Sequence, residues 1–71
     1  MKNEFYLKRE MLKTLKSMVT MYEDLEEYGA SYPHVDDVLE SLNDSIFVLC
    51  CSVCRKDILS FQDMVEWIKE Q

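Results

Sequence analysis

Gly29-Ala30-Ser31-Tyr32-Pro33 is the stretch that decides how the rest of the chain is arranged, because it holds the only glycine and the only proline among 71 residues. Gly just past one helix and Pro in the first turn of the next is the usual asymmetry of helix ends. One helix is therefore predicted to close at Tyr28 and another to open at Pro33. A short loop between two long amphipathic helices makes an antiparallel hairpin.

Upstream of the loop, Met11, Leu15, Met18, Tyr22 and Leu25 recur at 4-3-4-3 spacing, flanked by Leu7, Leu12 and Val19. That is one broad apolar face on a helix over about 3–28, with Asn3 as its N-cap and the methionines as core filler. Downstream, Val35, Leu39, Leu42, Ile46, Leu49 and Val53 keep a 4-3-4-3-4 spacing through Asn43-Asp44-Ser45. The unbroken period predicts a helix over about 33–56; a break at 43–45 would give two shorter ones. Ser60-Phe61-Gln62-Asp63 resembles a capping box with Asp in place of Glu. Phe61, Met64, Val65 and Ile68 then form a stripe with Trp67 at its edge, predicting a third helix over about 60–70. So short a helix must dock on the hairpin to exist in water. The expected fold is all-α: a single domain, 1–71, of hairpin plus third helix.

With 48% hydrophobic residues, one Gly and one Pro, the chain is too apolar for disorder and too poor in turn residues for an all-β fold. At this size a single core leaves a thin stability margin, which a homodimer would widen. A dimeric helical bundle is therefore expected. The net charge of −6 argues against direct nucleic-acid binding and against anionic membranes, and favours a basic partner. No apolar segment of signal-peptide pattern is visible, and the longest uncharged run, Ser45 to Cys54, is too short to span a bilayer. Three cysteines within five residues make no disulfide framework, which suits a reducing cytoplasm.

The cysteines weigh toward packing rather than chemistry. Structural zinc wants four ligands, usually as two separated pairs on turns. Cys50, Cys51 and Cys54 all fall inside one predicted helix, with His34 about five turns away. A metal-bridged dimer through this cluster is an alternative, but no single copy could close such a site. On the helical wheel, Cys50, Cys54, Phe47 and Cys51 widen the apolar stripe only in the last three turns. The expectation is that Cys50 and Cys54 are buried there beside the third helix or a second subunit.

Charge is more unevenly placed than helix stability explains. Between Lys16 and Arg55 there is no base, and Glu23, Asp24, Glu26, Glu27, Asp36, Asp37, Glu40 and Asp44 give that interval −8. The first sixteen residues carry +3. Asp36 and Asp37 suit the dipole at the start of the second helix, but the bases early and acids late in the first oppose its own.

Two uses of the charge follow. Arg9, Lys13, Lys16, Thr20, Glu23 and Glu27 lie on one line that is self-complementary about Met18, so two antiparallel copies could pair base with acid through it. Alternatively the acids engage a basic partner through Glu23, Asp24, Glu27, Asp36, Asp37 and Glu40. Tyr28 and Tyr32 would then be aromatic anchors, with Trp67 a further candidate.

No nucleophile is paired with a base, no glycine-rich phosphate loop is present, and a chain this short encloses little. The expected function is a non-enzymatic acidic interaction module: an inhibitor, adaptor or regulatory subunit, with a charge array that resembles a nucleic acid's as in the small acidic inhibitors of phages and mobile elements. The other reading is a hairpin dimer that binds RNA or DNA through Lys2, Lys8, Arg9, Lys13 and Lys16. No cofactor is expected in either.

Overall fold

The computed structural model describes residues 4–58 and 60–71. Asn3 and Lys2, the expected N-cap and one expected phosphate contact, lie outside the described residues. The chain forms α1 (Glu4–Tyr28), α2 (Val35–Cys54) and α3 (Phe61–Lys69), with no strand among the described residues. The all-α class and the three helices stand as expected. α2 runs unbroken through Asn43-Asp44-Ser45, because the polar residues there leave its apolar line intact.

The loop reaches this result by different local means than its sequence suggests. Gly29 is not left-handed; the positive φ values belong to His34 (59°) and Arg55 (58°). His34 precedes α2 and Arg55 closes it. Pro33 consequently lies in the turn rather than in the first turn of α2, since a left-handed residue interposed at 34 cannot continue a right-handed helix. Gly29 serves close approach instead. It is buried, and its N–H donates to the Leu25 carbonyl at 2.9 Å. A Cβ there would stand 2.5 Å from that oxygen and 3.0 Å from Leu25 Cδ2.

All three helices supply the core: Leu15 and Val19 from α1, Ile46, Cys50 and Val53 from α2, Met64 and Ile68 from α3. Burying a side chain of Leu or Ile size contributes about 1.5–3 kcal/mol. These few side chains are therefore a large share of what holds so small a domain. Tyr22 and Phe61 extend the core with ring centroids 4.9 Å apart, tilted at 45°, a favourable aromatic geometry. α1 packs most extensively on α2, and α3 touches both. The start of α1 lies beside the end of α2, where Arg55 Nη2 donates to Glu4 Oε1 at 3.1 Å.

α3 is fastened at both ends. Ser60 Oγ accepts from the Asp63 N–H at 3.4 Å, the first arm of the expected capping box. Beyond its other end, Lys16 Nζ donates to the Gln71 carbonyl at 2.6 Å, and Lys69 Nζ donates to Glu23 Oε2 at 2.9 Å. These two contacts give the charges of α1 a tertiary role that its own dipole does not: they meet α3.

Candidate functional site

The cysteine end of α2 is a packing site. Cys50 is fully buried in the core beside Met64 and Ile68. Burial pushes its thiol up to about 11, with the neighbouring Cys54 and Cys51 adding to the rise. Such a thiol stays protonated at neutral pH and is a poor nucleophile or ligand. Cys54 departs from expectation by being only half-buried, its thiol directed at the Lys56 carbonyl at 3.2 Å. Cys51 is half-buried too, and Phe47 keeps 37% of its surface exposed. The second side of α2 is thus covered along Cys50 but not out to Phe47, because nine-residue α3 is too slender to reach around. All three cysteines are free, and no group of three or more His, Cys, Asp or Glu side chains able to hold a metal occurs among the described residues.

The opposite end presents the acids. Glu23, Asp24, Glu26, Glu27, Asp36, Asp37, Glu40 and Asp44 are all exposed. Only two have an ion-pair partner among the described residues: Glu23 with Lys69, and Asp37, whose Oδ2 is 3.8 Å from His34 Nδ1. The remainder form a solvated negative surface. Tyr28 and Tyr32 stand out beside it, 71% and 65% exposed, although aromatic side chains normally seek cover. Between them lies an open cleft of about 630 Å³, lined by Lys16, Ser17, Thr20, Met21, Asp24, Leu25, Tyr28, Gly29 and Tyr32.

This cleft joins three of the expected partner residues, Asp24, Tyr28 and Tyr32. Glu23, Glu27, Asp36, Asp37 and Glu40 are not among its lining residues. Sequence reasoning missed the apolar floor supplied by Met21. That residue falls one place before Tyr22, off the buried line of α1, and an apolar side chain in such a place was the available signal. Trp67 is half-buried against the core and edges a second groove with Phe5, Lys8 and Met11.

The self-complementary stripe of α1 is not free along its length. Lys16 and Glu23 are the two residues that hold α3, and Lys13 pairs with Glu10 at 3.4 Å. Arg9, another base expected at a phosphate backbone, lies with its guanidinium 5.9 Å from the centre of the Tyr6 ring. None of the described helices is long and apolar enough to cross a membrane. Comparison with protein-family models, curated proteins and solved structures finds no match.

Proposed function

We propose that the chain is a non-enzymatic, acidic interaction module whose α1–α2 pair, an antiparallel hairpin, offers its loop end to a basic segment of a partner protein. The observation that carries this reading is the cleft between Tyr28 and Tyr32. It combines an apolar floor at Met21, two exposed phenol rings and the Asp24 carboxylate within a field of unpaired acids. An arginine or lysine side chain suits all three features: its stem lies on Met21, its cation faces the rings, and Asp24 receives its hydrogen bonds. The surrounding Glu27, Asp36, Asp37 and Glu40 would steer a basic partner toward the cleft and raise its association rate. An inhibitor that occupies the nucleic-acid groove of its target is one form such a module takes. The three free cysteines fit a reducing cytoplasm.

The test is binding of a labelled arginine- and lysine-rich helical peptide, followed by fluorescence anisotropy across a salt series. Tyr28→Ala combined with Tyr32→Ala is expected to weaken binding by about 10-fold or more. Neutralising Asp24, Glu27, Asp36 and Glu40 together should remove both the affinity and its salt dependence. Binding unchanged by either set would defeat the proposal. Salt-sensitive binding of the wild-type chain to duplex DNA or RNA would favour the nucleic-acid reading instead.

A further inference from the structure

Two lines of residues on the α1–α2 pair carry no charge, and Asp44 is the one charged residue that lines the groove beside them. On α1 the line Leu7, Met11, Thr14, Met18, Met21, Leu25 keeps 4-3-4-3-4 spacing, and on α2 the line Val38, Leu42, Ser45, Leu49, Ser52 does the same, with Val48 beside it. In a chain where 31% of residues are charged, two adjoining lines without one charge are not the composition of a solvated face. The structure brings the lines together. A groove of about 510 Å³ runs between the helices, lined by Met18, Asp44, Ser45, Val48, Leu49 and Ser52 and by no residue of α3. Val48 projects from it with 67% of its surface exposed, and Leu7 and Met21 are exposed at 59% and 48%.

We infer that this face is the seat of a second copy of the chain, packed antiparallel about a two-fold axis at Val48. Three observations select that occupant. The first is charge. The acids collect toward the loop, with −8 between Lys16 and Arg55, and the bases toward the other end, with +3 in the first sixteen residues. Antiparallel stacking lays the negative half of each copy over the positive end of its mate, so two chains of like net charge attract along the interface.

The second is register. About an axis at Val48, Asp44 stands opposite Ser52 of the partner subunit, whose hydroxyl can donate to it, and Ser41 stands opposite Arg55 of the partner subunit. No acid meets an acid across α2. The small serines let the two helices approach closely while the valines pack at the centre.

The third is area. Two helices, each about 10 Å across and packed 8–10 Å apart, present a strip about 20 Å wide. Along the 42 Å length of the molecule this gives on the order of 800 Å², what each partner of a standard stable interface buries. The dimer goes beyond the loop-end reading and does not depend on it. The end of the α1 line, Met21 and Leu25, also lines the loop-end cleft, so a second copy and a basic partner would share Met21.

Sedimentation velocity across a concentration series tests the assignment. Wild type is expected to dimerise. Val48→Glu and Val48→Lys should each weaken the dimer by about 100-fold, because each sets like charges face to face in a desolvated centre. Mixing the two variants should restore a dimer of one copy of each, which only a two-fold axis near residue 48 allows. Ser45→Glu should also dissociate it. Circular dichroism should show all variants as helical as wild type, since both positions are exposed. A wild-type chain that stays monomeric, a Val48→Glu chain that stays dimeric, or a dimer abolished by Lys13→Glu on the other face of α1 overturns the inference.

Discussion

The two halves of α2 share one apolar line and meet different fates. From Val35 to Asp44 the helix carries four acids and no fully buried residue, whereas from Ser45 to Cys54 it carries no charge and buries Ile46, Cys50 and Val53. Both halves rest on α1. The difference is α3, whose Met64 and Ile68 complete the core around the second half. A helix touched on one side holds its apolar residues half-covered; a second neighbour closes them. The half left without that neighbour is free to carry charge, and it is there that the acids collect beside an open cleft.

The strongest way to break this contrast is to weaken α3. Ile68→Ala removes a fully buried side chain and should cost about 2–5 kcal/mol, a large fraction of the stability of so small a domain. Tyr32→Ala at the loop end removes an exposed ring and should change stability by less than about 0.5 kcal/mol. Urea unfolding followed by circular dichroism measures both. Equal losses at the two positions would show that the core is not concentrated where α3 docks.

How far the sequence carries depends on which residues are asked. Periodicity located the buried lines: Leu15 and Val19, Ile46 and Val53, Met64 and Ile68 all fall where spacing places them. Helix ends followed from breakers and caps to within about two residues, which is the ordinary scatter of such boundaries. The fine geometry of the loop did not follow, because Gly29 and His34 divide the work differently from the usual pattern. Gly29 admits the close approach of Leu25, and His34 takes the left-handed turn.

The candidate site was legible in its charge and not in its shape. That Lys16 and Glu23 hold α3, rather than standing free on a pairing stripe, depends on where a short helix docks. No period of α1 contains that information. Met21 became part of the cleft only once Tyr28 and Tyr32 were placed around it.

A second test turns on Cys50 and uses pH. Its folded-state value near 11 exceeds the ordinary 9.0, so the unfolded chain releases this proton first. The stabilisation is fully present below about pH 9 and is lost as pH rises toward 11. The total is about 2–3 kcal/mol by linkage. Unfolding free energies measured from pH 8 to 11 should therefore fall more steeply for wild type than for Cys50→Ala, although the variant is less stable at neutral pH. Parallel profiles would mean that the thiol is not sheltered. Alkylation kinetics sharpen the point: Cys51 and Cys54 should react in the native state, and Cys50 only on opening.

The smallest expected effect concerns the residue that lets α3 begin where it does. Ser60 accepts the Asp63 N–H at 3.4 Å, a long bond, so Ser60→Ala should cost about 0.5–1 kcal/mol, at the lower end for a helix cap. Loss of the cap frees an N–H in the first turn of a helix of nine residues, and fraying should reach Phe61 and its contact with Tyr22. Amide exchange should accordingly quicken in α3 and at Cys50, while amides in the first half of α2 keep their wild-type protection. If instead protection fell equally along α2, its two halves would unfold as one unit, and the cover given by α3 would not be what separates them.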